Sequence, residues 1–337
     1  MNILLTSAGR RSYLVQYFKE ALAGSGKVHA SNSEWSTALE VADEAVITPL
    51  IYDDSYISFL KEYAQKHNIG MIISLFDIDL PVLAQAKQSF KKLGIHIIVS
   101  DYNVTQICND KWKTYQFLKQ NNLNAPKSYI ELGLVKKALL SQEIQFPLII
   151  KPRWGMGSIS IFKAENKEEL KVFYEKVKRE TNESFLKHES QLDPEHVVII
   201  QEYLNGQEYG LDIVNDLDKK YVNTYVKKKT AMRSGETDEA ITEKNEILEK
   251  TGEKIASILG HIANLDTDCF MVGDTPYILE MNCRFGGGYP FTHLAGANLV
   301  KAYLHWIKQI PAPAECFTYN ENVRGFKSIT PNRSIKG

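Results

Sequence analysis

The chain has 337 residues, 44% of them hydrophobic and 24% charged, which fits a folded protein of two or three domains and excludes a disordered or fibrous chain. Its 40 basic and 41 acidic residues nearly cancel, so a broad basic face for nucleic acid or an anionic membrane is excluded. Any anionic ligand must be held by local groups, and small molecules are the expected partners.

The opening stretch, MNILLTSAGRR, places a basic pair after a very short apolar run, the reverse of a signal peptide. No stretch approaches the ~18 apolar residues of a membrane helix. Cys108, Cys269, Cys283 and Cys316 lie far apart, without a CxxC pair or a histidine at zinc-ligand spacing. They read as reduced thiols of a cytoplasmic protein.

Residues 1 to 100 alternate short apolar runs with amphipathic segments. NILLTS, KVHASN, AVITPL, IGMIISL and IHIIVS read as strands, and SYLVQYFKEALAG, YISFLKEYAQKHN and LPVLAQAKQSFKKLG as helices. Strand and helix taking turns predict a doubly wound parallel sheet covered by helices. The first strand-to-helix turn, TSAGRRS, lies where such a fold places a ligand loop, but it has one glycine and lacks GxGxxG. Close approach to a pyrophosphate needs the missing glycines, so a plain tight turn is favoured over a dinucleotide site. Arg10 and Arg11 could still hold an anionic substrate.

A boundary falls near 100 to 110. Beyond it, FPLIIKP, SISIF, HVVIIQEYL, EYGLDIVND and KYVNTYVKKKT succeed one another with one helical stretch around 166 to 180, which predicts antiparallel sheet and an α+β second half. From 240 to 310, a helix (EKNEILEKTGEKIASILGHI), two strands (DTDCFMV and PYILEMN) and one further helix (FTHLAGANLVKAYLHWIKQI) close the core. The tail from Pro311 has three prolines and two glycines among 27 residues and reads as loop plus an edge strand.

Three segments carry chemistry. In YILEMNCRFGGGYP, residues 277 to 290, alternation puts Glu280, Asn282 and Arg284 on one strand face and Leu279, Met281 and Cys283 on the other. A carboxylate and a carboxamide oxygen suit Mg²⁺, which keeps several waters and shares its sphere with phosphates. Asp268 adds an oxygen if DCF and LEMN are neighbours across VGDTP, and Arg284 would face the anion that the metal leaves uncompensated. The competing reading is a solvated strand face, against which stand the apolar PYILEM run and the three glycines that follow. In LIIKPRWGMGSISIF, residues 148 to 162, an apolar strand ends in Lys151 and meets a loop with Gly155 and Gly157. Glycine amides plus a lysine cradle phosphates, but strand-loop-strand excludes a P-loop. In VVIIQEYLNGQEYGLD, residues 197 to 212, the backbone of QEYL could pair with an adenine edge and Glu208 could meet ribose hydroxyls. A plain hairpin accounts for that segment equally well, since NG between apolar runs is a hairpin signal.

Taken together, the three motifs, in this order, resemble the ATP-grasp superfamily, whose members include the carbamoyl-phosphate synthase large-subunit halves, biotin carboxylase, D-alanine:D-alanine ligase and amino-acid ligases. The resemblance runs from about residue 1 to 310, and LEMNCRFGGGYPFTHLAGAN is its strongest piece. It implies an α/β fold with a pre-ATP-grasp domain over 1–105 and an ATP-grasp domain over 106–310. The latter would divide into a lid subdomain (about 110–203) and a C-terminal subdomain (about 204–310), with a tail over 311–337. It also implies that Lys111 of NDKWKTYQFL, or its competitor Lys113, and Lys151 contact ATP phosphates under a mobile lid, RWGMGS, that includes Gly155, Gly157 and Ser158. Glu202, Tyr203 and Leu204 would line the adenine site and Glu208 the ribose. Lys228, Lys229 and Arg233 would be extra anion contacts. Asp268, Glu280 and Asn282 would bind Mg²⁺ (Mn²⁺ being an alternative), with Arg284 beside the transferred phosphoryl group or the substrate carboxylate. Cys283 departs from the family's usual proline or threonine, and the Glu-His segment of biotin carboxylase is absent.

The implied activity is an ATP- and Mg²⁺-dependent ligation of a carboxylate to an amine through an acyl phosphate, with release of ADP and phosphate. Phosphorylation of a small acid such as bicarbonate or carbamate is the alternative, and a non-catalytic nucleotide-binding protein comes after it. The resemblance leaves a homodimer open. Acceptor specificity is expected from Arg10, Arg11, Asp77 to Asp79 and the MRSGETDEA loop.

Overall fold

A computed structural model describes residues 1–155, 159–233 and 235–329, so Gly157 and Ser158 of the expected lid lie outside the described residues. The first part runs β1 (Asn2–Thr6), α1 (Ser12–Leu22), β2 (Val28–Asn32), α2 (Thr37–Val41), β3 (Glu44–Ile47), α3 (Tyr56–Lys66), β4 (Ile69–Ser74), α4 (Asp79–Lys91) and β5 (His96–Ile98). Its five strands are all parallel, in the order β3-β2-β1-β4-β5. β1 is central and fully apolar from Ile3 to Leu5 because helices cover both of its faces. The turn after β1 therefore opens at the carboxyl ends of the strands, where open parallel sheets take their ligands.

Two short helices follow, α5 (Tyr102–Asn109) and α6 (Lys111–Gln120), then β6 (Ser128–Tyr129), α7 (Leu132–Leu140), β7 (Leu148–Pro152), β8 (Phe162–Ala164), α8 (Lys167–Glu183), α9 (Lys187–Ser190) and β9 (Val198–Glu202). The strands make an antiparallel sheet, β6-β9-β7-β8, with α8 packed on it. Within SISIF, residues 159–161 do not form the strand expected of them. Ser160 sits at φ +54° with its hydroxyl donating to Glu180 at 2.6 Å, so strand geometry begins only at Phe162.

The larger sheet is built from β10 (Gln207–Asn215), β11 (Tyr221–Arg233), β12 (Glu236–Glu243), then, after α10 (Glu246–Leu259), from β13 (Asn264–Val272) and β14 (Thr275–Asn282). Its order is β14-β13-β10-β11-β12, and β15 (Arg324–Phe326) from the tail pairs antiparallel with β12. The single helix expected after Gly288 is two, α11 (Tyr289–Leu294) and α12 (Leu299–Ile307). Gly296 at φ +117° breaks the first, and the Asn298 side chain caps the second by accepting from the Lys301 amide. Among the described residues, no helix is long and apolar enough to cross a membrane.

Candidate active site

β13 and β14 place the acidic residues by register: Asp268 stands opposite Glu280 and Asp266 opposite Asn282. Burial pushes the Asp268 carboxyl up, Lys229 opposes, and the neighbouring Glu280 adds to the rise. Glu280 moves the other way. Burial works against its ionisation, but Lys111, Lys151, Lys229 and Arg284 together hold its pKa below the ordinary value. The Asn282 carboxamide has no hydrogen-bond partner among the described residues. Two crowded carboxylates and an open carboxamide oxygen on one strand pair fit a hexacoordinate hard cation that keeps some of its waters. Among the described residues, no three Asp, Glu, His or Cys side chains converge on a metal position, so phosphate or water would have to complete the sphere.

The cations facing them come from three elements. Lys111 opens α6, and its ammonium donates to the Gly155 carbonyl at 2.5 Å and lies 3.9 Å from Glu280. Lys113 turns away to Gln106 at 3.3 Å, so Lys111 is the lysine that the fold brings to the cavity. Lys151, on β7, is buried, and its pKa falls to about 8. Burial is the main cause, Glu280 opposes it, and Lys111 adds to the fall. Lys229 bridges Glu208 and Asp268, at 2.7 Å from each, and although burial works against its charge these two carboxylates raise its pKa. Lys227 shares this face of β11, buried against Asp212 and Thr292. Lys228, expected among the anion contacts, occupies the opposite register and pairs with Tyr209.

Asp110 and Arg153 position Lys111 and Lys151, and the sequence reading did not single them out. Asp110 caps α6 by accepting from the Trp112 amide and also takes a two-pronged bond from buried Arg153, 2.8 Å on each oxygen. Arg153 in turn stacks over Trp154. Thus the residue before Lys111 is bolted to the residue two beyond Lys151. An aspartate directly ahead of a helical run was the available signal.

The Arg284 guanidinium makes four hydrogen bonds among the described residues. It donates through Nε and Nη2 to Asp77 at 3.0 and 2.7 Å, and through Nη1 to the Phe285 carbonyl at 3.1 Å and Asp266 at 3.4 Å. Asp266 is partly buried; desolvation and then the nearby Asp268 push it up to about 7, although Arg284 opposes this. The glycines after Arg284 have a packing role. A Cβ on Gly286 would sit 2.0 Å from the Asp266 carboxyl carbon, and one on Gly288 would sit 3.2 Å from Lys227. Cys283 points into the core, next to Cys108.

Two cavities meet at this centre. The smaller, about 200 Å³, is lined by Lys111, Lys151, Gly155, Glu208, Asp268 and Glu280. The larger, about 580 Å³, shares Asp268 and Glu280 and extends past Asn282 and Arg284 to the β1–α1 loop. Glu202, Tyr203, Leu204 and Arg233 line neither. Glu202 accepts from the Lys127 amide at 2.8 Å, Tyr203 is exposed under Lys163, partly buried Leu204 ends the run, and Arg233 pairs with Asp238.

Two antiparallel sheets facing each other across a polar cleft, with an open parallel domain behind, define a grasp-type nucleotide fold. Comparison makes this specific: residues 108–288 match the ATP-grasp domain and residues 3–98 the PylC-like N-terminal domain, and the chain belongs to the ATP-grasp family. ATP and Mg²⁺ are that family's usual cofactors. The chain is 22% identical over 278 residues to the carbamoyl phosphate synthase large chain of Pseudothermotoga lettingae, matching 80% of this chain and 23% of that one. It spans about a quarter of the length of the first curated relatives that it matches. In fold it is similar to an L-amino acid ligase from Bacillus licheniformis (TM-score 0.72, 20% identity, 98% of this chain and 81% of that one). It is also similar to the biotin carboxylase domain dimer of the Hydrogenobacter thermophilus 2-oxoglutarate carboxylase, in complex with MgADP, ADP and bicarbonate (TM-score 0.73, 16% identity, 95% and 72%).

Proposed function

We propose that the protein is an ATP- and Mg²⁺-dependent ligase that joins a carboxylate to an amine through an acyl phosphate, releasing ADP and phosphate. The observation that carries this reading is the meeting of two cavities at Asp268 and Glu280, one rich in lysine and the other running towards the parallel domain. Lys111 and Lys151 hold the nucleotide phosphates, and Asp268, Glu280 and Asn282 hold the cation, which supplies charge neutralisation between the phosphates. Lys229 fixes Glu208 and Asp268, and Arg284, pinned by Asp77 and Asp266, sets the field beside the acceptor. Glu208 remains the ribose contact and Glu202, Tyr203 and Leu204 the adenine contacts. Gly155 belongs to the lid, and Arg233 is an outer anion contact. Phosphoryl transfer depends mainly on positioning and charge, so no acid–base triad is required.

Four free, buried thiols support a reducing, cytoplasmic setting, and a homodimer is the assembly proposed. A second reading, phosphorylation of a small acid, is favoured by the likeness to carbamoyl phosphate synthase chains, and assaying product with and without amine separates the two. For the reading as a whole, Glu280→Gln is expected to abolish ADP formation while the circular dichroism spectrum stays that of the wild type. Retained turnover in that variant would remove the metal assignment.

A further inference from the structure

The larger cavity has a far end that phosphoryl transfer does not use. There the β1–α1 loop lines the wall with Arg10 and Arg11, and beside Glu236 of the same lining lies Lys327, the residue after β15, whose backbone amide donates to the Asp238 carbonyl at 2.8 Å. The Lys327 ammonium lies 3.5 Å from where a Cβ on Gly287 would sit, so the tail reaches the glycine loop that follows Arg284. Glu236 is the one carboxylate paired with this group, at 3.7 Å from Arg10 and 3.4 Å from Lys327. Arg11 is only partly exposed and makes no ion pair among the described residues; its guanidinium donates to the neutral Leu75 carbonyl. Adding Arg284 with both of its carboxylates, Asp77 and Asp266, still leaves four cations to three anions at this end. The inner end is balanced, with Lys111, Lys151 and Lys229 against Glu208, Asp268 and Glu280.

Arg11, held in the cavity wall by the Leu75 carbonyl and the Tyr13 hydroxyl, still has donors left over in a fork that matches a carboxylate or phosphonate. Burial, and then the nearby Arg284, pull its pKa down, although Tyr13, Asp77 and Asp266 oppose this. Lys327 is likewise lowered by burial and by Arg11, although Glu236 opposes this; Glu236, which lines the same cavity as Arg11, holds the Lys327 ammonium at 3.4 Å.

We infer that Arg11 and Lys327 form an anion subsite, and that the acid activated at Asn282 and Glu280 carries a second anionic group, a carboxylate or a phosphoryl-type group, at its far end. This rests on the ligase reading for the first carboxylate only, because the subsite itself binds without nucleotide. Calorimetric titration of the full chain compares succinate, glutarate and 3-phosphonopropionate with butyrate and pentanoate, and the phosphonate arm separates the two kinds of second anion.

The di-anionic acids are expected to bind at least about tenfold more tightly than the mono-acids of the same length. Arg11→Met and Lys327→Met are each expected to erase that difference while leaving mono-acid and Mg-ATP affinities unchanged. If Arg11→Met does not fold, Lys327→Met, a change in the tail, carries the test. Equal affinity for mono- and di-acids, or no di-acid binding at tens of millimolar, overturns the subsite. Failure of Mg-ATP to bind the wild type overturns the ligase reading instead, and the nucleotide-free titration still decides the subsite.

Discussion

Lys151 combines burial with a proposed role that needs charge. Burial lowers its pKa from the ordinary 10.5 to about 8, against the pull of Glu280 and with the help of Lys111. The unfolded chain therefore binds more protons than the folded one between about pH 8 and 10.5. Holding this lysine charged costs on the order of 3 kcal/mol below that window, and the cost fades as pH rises through it. Nucleotide phosphates would favour the charged form. Apparent Mg-ATP affinity is thus expected to weaken by about tenfold per pH unit above 8, and Lys151→Arg to remove that limb because a guanidinium keeps its proton. A flat wild-type profile from pH 7 to 9.5 in equilibrium titration would overturn the role given to Lys151. At this scale, alternation alone made Glu280 and Asn282 legible as one face, and Asp268 followed once two strands were neighbours. The partners of these residues were not legible: Lys229 reaches Asp268 across an intervening strand, β10, and nothing in KKK distinguishes the lysine that faces the cleft from the one that faces away.

Among the described α-helices, four-residue α9 is the shortest, yet it has a structural task. Tyr52, in the connection between β3 and α3, hydrogen-bonds Glu189 of α9 and stacks on His188 at 4.5 Å, while Phe76 meets Phe185 at 6.5 Å. These contacts tie the small antiparallel sheet's helical flank to the parallel domain, over the wall where Phe76 and Phe185 line the larger cavity. Tyr52→Ala is expected to raise amide exchange over residues 184–192 severalfold without nucleotide, since a four-residue helix is marginal without packing. Unchanged exchange there would show that the clasp does not hold α9. Long periodic segments such as α1, α3, α4 and α10 were readable because their apolar stripes are several turns long. The five-residue α2 has no such stripe, and the break between α11 and α12 depends on one glycine whose apolar neighbours continue a helical pattern on both sides.

Across the whole molecule, Arg284 joins the parallel domain to the larger sheet through Asp77, and the two residues are 207 positions apart. Sequence periodicity carries no information about such a pair, so Asp77 was legible only as a loop acid near the first domain's ligand end. Both side chains are almost wholly buried. Asp77→Asn removes most of the charge that compensates a buried guanidinium, and is expected to lower unfolding free energy by about 3 kcal/mol, read as a fall in urea midpoint. An unchanged midpoint would mean that the two domains are held by other contacts.

The pairing of β15 with β12 gives this architecture a dependence in time. Chains are made from the N-terminus, so the loop carrying Arg11 leaves the ribosome early, whereas Lys327 is among the late arrivals. A nascent chain can complete its parallel sheet and the inner strands of both antiparallel sheets before Lys327 is made. For the anion subsite proposed at Arg11 and Lys327, binding of a second anion therefore has to wait until β15 docks on β12, after the strands beneath it have been made.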